Sequence, residues 1–148
     1  MKVPGLDGST KMSKTGGETN AIFLNEEPES IRKKIMRAKS DGGPTTMNQE
    51  KPQEIINLFE LMKIVSTPDT LAFFDNAYNN CVIRYGDMKK QLAEDMVNYL
   101  TPIRTRINEL INNEAYLQRV VSRGAEEARE SAAKTISEVR KIMGISYF

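Results

Sequence analysis

Apolar side chains at helical spacing dominate the second half of the chain. From about Gly86 they recur at steps of three or four, which places them along one face of an α-helix: Met88, Leu92, Met96, Tyr99, Leu100, Ile103, Ile107, Leu110 and Ile111. A second stripe runs from Leu117 to Met143, and Gly144 stands where a helix C-terminal cap belongs. The pattern predicts two long helices, the first bent by Pro102.

Proline and cap signals predict three shorter helices in the first half. Pro28 opens a basic helix with an apolar stripe at Ile31, Ile35, Met36 and Ala38. Pro52 opens a helix whose apolar residues cover too much of its circumference for a surface element, and Thr67-Pro68 opens a third. With 148 residues and no convincing set of strands, the chain is predicted to be mainly α, a helical bundle preceded by a loop.

Composition excludes several kinds of chemistry. There is no histidine, which excludes a Ser-His-Asp triad, a Cys-His dyad and an HExxH zinc site. The single cysteine, Cys81, permits no internal disulfide, and we expect it to be a small, partly buried residue. No apolar run is long enough to cross a membrane and no secretory signal is present, so we expect a cytoplasmic protein without membrane contact.

One short segment near the N-terminus suggests chemistry. Lys11-Met12-Ser13-Lys14-Thr15-Gly16-Gly17 sets two lysines three positions apart among hydroxyl side chains and glycines. Two ammonium groups and several backbone donors can bind one polyphosphate, and flanking glycines let a loop close over it. The segment is not a Walker loop, and an exposed lysine-rich linker has the same composition.

The segment from Lys11 to Thr15 resembles the KMSKS signature of class I aminoacyl-tRNA synthetases, with threonine in place of the last serine. The surrounding sequence is similar to the tryptophanyl-tRNA synthetase branch, and the similar segments follow in the same order through the chain: Pro4–Gly8, Ile31–Ile35, Ala38–Asp41, Lys51-Pro52, Asn57-Leu58, Tyr85-Gly86, Leu100–Arg104 and Arg123–Ala128.

This resemblance implies that the chain is the C-terminal part of a longer ligase. Residues 1–24 would be the mobile KMSKS loop and the edge of a Rossmann-type catalytic domain that is missing here, and residues 25–148 a helical, anticodon-binding-like domain. Lys11 and Lys14 would be catalytic, and Lys11, Met12, Ser13, Lys14 and Thr15 would bind ATP, which carries Mg²⁺. We expect no metal ligands in this chain, and we expect the fragment alone to be inactive.

The implied partners are ATP, tRNA(Trp), tryptophan held by the missing N-terminal domain, and a second copy of the full-length enzyme. Candidates for tRNA contact are Arg84, Tyr85, Lys89, Lys90, Arg104, Arg106, Arg119 and Arg123, none of which the sequence singles out. Tyr99 and Tyr116 could stack on a base, but they lie near apolar stripes and are predicted to be core residues. Two alternatives stay open: the same region of a tyrosyl-tRNA synthetase, and a helical interaction module without nucleotide chemistry.

Overall fold

The structure, a computed structural model, describes residues 2–13, 17 and 19–145. These residues form five α-helices and no strand, which confirms the predicted helical fold: α1 (Pro28–Arg37), α2 (Gln53–Val65), α3 (Pro68–Asn79), α4 (Tyr85–Ile111) and α5 (Glu114–Ile142). The chain divides into two compact units, Met1–Thr105 and Arg106–Phe148. None of the helices in the described part of the chain has both the length and the apolar content needed to cross a bilayer.

Local signals set the helix ends where the sequence predicts them. Pro28 and Pro68 lie in the first turns of α1 and α3, and the Thr67 hydroxyl accepts a hydrogen bond from the Thr70 N–H at 3.2 Å. After α5, Gly144 adopts a φ of 69° and donates to the Lys141 carbonyl, while the Ile145 N–H donates to the Arg140 carbonyl. This Schellman arrangement satisfies carbonyls that the helix end would leave without partners, and it confirms the predicted cap.

The core of the first unit forms between α1, α2, α3 and the first half of α4. Leu6 of the N-terminal segment joins it, with only 4% of its surface exposed. Burying a side chain of this kind contributes about 1.5–3 kcal/mol, so the segment before α1 is held to the helices. Among the described residues, the largest fully buried side chains are Tyr78, Ile31, Ile35, Ile55, Leu58, Leu61, Met62, Met88 and Leu92.

Several predictions about burial are wrong. Met36 is exposed although its spacing placed it on the apolar stripe of α1. Cys81 is also exposed, because the chain turns away from α3 there with a φ of 57°. Tyr99 is 49% exposed, and it lies next to Leu100, the last buried residue of α4.

The second unit has no buried residue within its described part, residues 106–145. The apolar stripe of α5 is present as predicted, but its side chains, including Leu117, Val120, Ile136 and Val139, are exposed, as is Tyr116. Helical periodicity shows which residues share a face, whereas burial requires a second surface against that face.

Candidate functional site

A compact turn carries the Lys11 segment. The Gly5 N–H donates to the Ser9 carbonyl at 3.0 Å, and the Ser9 N–H donates to the Asp7 carboxylate at 2.9 Å. The hydrogen bonds from Ser9 lower the pKa of Asp7 below its usual value, so this carboxylate is ionised at neutral pH. The Ser9 hydroxyl then donates to the Lys11 carbonyl at 3.2 Å, which connects the turn directly to the first lysine of the motif.

Gly5 has no room for a side chain. A Cβ atom at this position would overlap the Asn20 amide oxygen and the Ser9 hydroxyl. The Leu6 N–H, next in the chain, donates to the Asn20 carbonyl at 3.2 Å. Glycine therefore leaves the space that the polar side chains of Asn20, Ser9 and Asp7 occupy, and a larger residue would have to displace them.

Asn57, a buried polar residue of α2, holds this turn in place. Its Nδ2 donates to the carbonyl oxygens of Gly5 at 3.1 Å and Ser9 at 2.7 Å. Its Oδ1 accepts a hydrogen bond from Gln53, one helical turn earlier, at 2.8 Å. Only 2% of Asn57 is exposed, so the packing of α2 orients its side chain. Its hydrogen bonds to Gly5, Ser9 and Gln53 all lie within the protein.

The structure shows the contacts and exposure of two predicted site residues, Met12 and Lys11. Met12 is partly buried against the core, and its sulfur accepts a hydrogen bond from the Ile22 N–H at 3.3 Å. Lys11 is exposed to solvent, and its ammonium has no ion-pair partner among the described residues. A hydrogen-bonded turn thus carries a lysine whose charge is exposed to a ligand.

The remaining motif residues are described only in part. Ser13 is partly buried, whereas Lys14, Thr15 and Gly16 lie outside the described residues. The roles of Lys11, Lys14 and the ATP-binding segment therefore stay predictions. Within the described part of the chain, no three His, Cys, Asp or Glu side chains are grouped so that they could hold a metal ion.

The candidates for tRNA contact differ in how accessible they are. Lys89 is buried, and its ammonium donates to the Ala38 carbonyl at 2.7 Å and the Ser40 hydroxyl at 2.9 Å. Burial lowers the pKa of Lys89, and its hydrogen bonds cap the end of α1. Lys89 is thus a structural residue, and its ammonium is not available for tRNA contact.

The other candidates are divided between the two units. Burial and then the nearby Asp41 charge raise the pKa of Tyr85, which is half-buried. Arg104 donates to the Glu26 carbonyl at 3.4 Å. Arg84 and Lys90 are exposed in the first unit, and the second unit carries Arg106, Arg119 and Arg123 on exposed helix faces.

Sequence reasoning missed Asn57 as part of this site. The sequence offered one signal, because an asparagine among Ile55, Ile56, Leu58 and Phe59 interrupts an apolar helix and needs buried hydrogen-bond partners. The identity of those partners depends on how the N-terminal turn packs against α2.

Comparisons with known proteins agree with one another. Residues 2–101 match the family model described as tRNA synthetases class I (W and Y). The tryptophan–tRNA ligase of Porphyromonas gingivalis is 55% identical over 97% of this chain and 43% of its own length, and that of Helicobacter pylori is 36% identical over 97% and 43%. The chain therefore spans less than half the length of these curated relatives.

Solved structures show the same fold. A tryptophanyl-tRNA synthetase from Campylobacter jejuni, crystallised with ADP and tryptophan, aligns with a TM-score of 0.73 at 23% identity, over 97% of this chain and 44% of that one. A tyrosyl-tRNA synthetase from Aeropyrum pernix aligns less completely, with a TM-score of 0.53 at 23% identity, over 70% and 32%.

Proposed function

Because the chain belongs to the class I tRNA synthetases of the tryptophan and tyrosine (W and Y) group, we propose that it is the C-terminal portion of a tryptophan–tRNA ligase. The observation that carries this proposal is the 55% identity to such a ligase, since it extends over 97% of the chain and so includes both the Lys11 segment and the helices. The complete protein would activate tryptophan with ATP and transfer it to tRNA(Trp).

In the activation step, a tryptophan carboxylate oxygen bonds to the α-phosphorus of ATP, and the bond from that phosphorus to pyrophosphate breaks. Negative charge builds up on the phosphate oxygens during this exchange. Lys11 and Lys14 would stabilise that charge, while Met12, Ser13 and Thr15 complete the ATP-binding segment. Exposure of Lys11 on a hydrogen-bonded turn supports this role, because its ammonium is accessible to a triphosphate and no ion pair with another described residue has to be broken first.

The rest of the assembly follows from the same proposal. Residues 1–24 belong with the catalytic domain and residues 25–148 form the anticodon-binding-like domain. ATP brings its own Mg²⁺ as part of the substrate, tryptophan binds to the preceding domain, and the complete enzyme is a cytoplasmic homodimer.

Pyrophosphate exchange in the full-length protein tests this function. We expect tryptophan-dependent exchange of pyrophosphate into ATP, slowed about 100-fold by Lys11→Ala, the effect typical of removing one group that stabilises transition-state charge. Lys2→Ala removes another exposed lysine from the same segment and should leave the rate near that of the wild type. Equal rates for the two variants would contradict the role of Lys11.

The amino acid used in the same assay separates the alternatives. Exchange that depends on tyrosine and not on tryptophan would identify a tyrosyl-tRNA synthetase, the enzyme from Aeropyrum pernix whose fold this chain shares in part. Absence of exchange with either amino acid would favour a helical interaction module.

A further inference from the structure

A basic pocket lies between α1 and the turn that precedes Lys11. It has a volume of about 410 Å³, and its cationic lining comprises Lys33, Lys34, Arg37 and Lys39. Leu6 and Ala38, both almost fully buried, also line it. We propose that this basic pocket binds backbone phosphates in the acceptor arm of tRNA, an inference that rests on the proposed function.

Not all of the positive charge is available to a ligand. The Lys34 ammonium lies 2.6 Å from the Glu26 carboxylate, donates to the Ala21 carbonyl at 2.9 Å and stands over the Phe23 ring. Burial raises the pKa of Glu26, but hydrogen bonds from Lys34 and Ser30 outweigh it and leave the pKa below its usual value. Lys34 is therefore committed to an internal ion pair.

Lys33 and Arg37 carry the unbalanced charge. Both are exposed, and neither forms an ion pair among the described residues. Lys39 is exposed as well, but it faces the ionised Asp7, which also lines the pocket. Three cations against one carboxylate leave an excess of two positive charges, and Lys33 and Arg37 account for it.

The spacing of these two residues suits a chain of phosphates. They are four positions apart on α1, so they lie on one face with their Cβ atoms about 6 Å apart. A lysine contacts one phosphate as a point charge, while the arginine fork can donate two hydrogen bonds to another. Exposed cations bind a single small anion weakly, whereas several phosphates together release enough counterions to give useful affinity.

The position of the pocket favours the acceptor arm over the anticodon. Leu6 and Asp7 belong to the same turn that Asn57 clamps and that leads to Lys11. Aminoacyl transfer brings the 3′ end of tRNA to the adenylate made beside the Lys11 segment. The strand that ends there must pass the neighbouring surface, and the basic pocket is part of that surface.

The test measures how strongly salt weakens the binding of two RNA fragments. An acceptor-stem minihelix and an anticodon stem–loop of tRNA(Trp) are titrated with the 148-residue chain at a series of salt concentrations. We compare the wild type, the double variant Lys33→Gln/Arg37→Gln, and a control, Lys63→Gln/Lys134→Gln, which removes two exposed lysines that do not line the pocket. Thermal unfolding verifies that both double variants fold like the wild type.

For the minihelix, the Lys33/Arg37 variant should lower the slope of log K against log salt by about 2, since each phosphate contact contributes about 0.9. The control should keep the wild-type slope for the minihelix, and the Lys33/Arg37 variant should leave the slope for the anticodon stem–loop unchanged. Equal slopes for the two double variants would overturn the proposal, as would a wild-type chain that does not bind the minihelix.

Inorganic triphosphate serves as a further probe. If it saturates the wild type at micromolar concentration and the Lys33/Arg37 variant abolishes that binding, the pocket holds a free polyphosphate and the assignment to RNA is wrong. Tryptophan-dependent pyrophosphate exchange by the wild-type full-length protein is measured separately. Absence of this exchange would overturn the proposed ligase function, whereas equal salt slopes alone would overturn only the proposal that the basic pocket binds RNA.

Discussion

Replacement of Asn57 by leucine tests whether this residue holds the N-terminal turn on α2. Leucine has a similar size but no hydrogen-bonding group, so the Gly5 and Ser9 carbonyls lose their bonds to Nδ2. Each lost hydrogen bond costs about 1 kcal/mol, and a buried carbonyl left without a donor costs about 1–3 kcal/mol more. Gly5 is buried, while Ser9 keeps the Gly5 N–H as a donor, so one such penalty applies.

The expected loss is therefore about 3–5 kcal/mol in the free energy of unfolding. Urea unfolding followed by circular dichroism measures it, with Asn98→Leu on the exposed face of α4 as the control, which should change stability by no more than about 0.5 kcal/mol. Asn57→Asp keeps the acceptor for Gln53 but sets a carboxylate against two carbonyl oxygens, so it should destabilise at least as much as leucine does.

Limited proteolysis locates the effect. A lysine-specific protease should cut after Lys11 faster in the Asn57→Leu variant than in the wild type, because the turn that carries this lysine has lost its attachment to α2. If Asn57→Leu unfolds within 0.5 kcal/mol of the wild type, as expected for a neutral exposed site, and is cut at the same rate, the clamp has no energetic importance.

Two further predictions concern stability. Lys34→Met leaves the buried Glu26 carboxylate without its cation and should cost about 3 kcal/mol at neutral pH, whereas Lys63→Met, at an exposed ion pair, should cost less than about 1 kcal/mol. Because the pKa of Glu26 is lowered in the folded wild type, the stabilisation by this ion pair is complete above the ordinary pKa of 4.5 and is lost as the pH falls through the folded pKa. The difference in unfolding free energy between the wild type and Lys34→Met should therefore narrow in acid. Urea unfolding at several pH values measures it, and a difference that does not change with pH would contradict the role of the pair. Gly5→Ala should destabilise the folded protein by about 1–3 kcal/mol because its Cβ has no space. Gly86→Ala, in the first turn of α4 with open space around it, should stabilise the folded protein by up to about 1 kcal/mol. Thermal unfolding in which both variants shifted the melting temperature in the same direction would contradict this.

Two kinds of charged residue look alike in the sequence but differ in the structure. The pattern around α1 shows a basic helix, but it does not distinguish Lys34, which is paired with Glu26, from Lys33, which is exposed. Lys89 has the sequence surroundings of a surface lysine, yet it is buried and caps α1. Such differences depend on which carbonyls and carboxylates other elements bring near, and the spacing of residues within one helix contains no information on that.

The order and the ends of the helices were determined by the sequence itself, because proline in a first turn, a threonine cap and a glycine with positive φ act within a few residues of one another. The Lys11 motif was likewise identified from the sequence alone, because it consists of particular residue types at consecutive positions. Only the tertiary structure decided that Asn57 clamps the turn before Lys11, that Tyr99 is exposed and that two cations of α1 face a pocket. Each of these results depends on contacts between segments far apart in the chain, and such contacts form only when the helices pack.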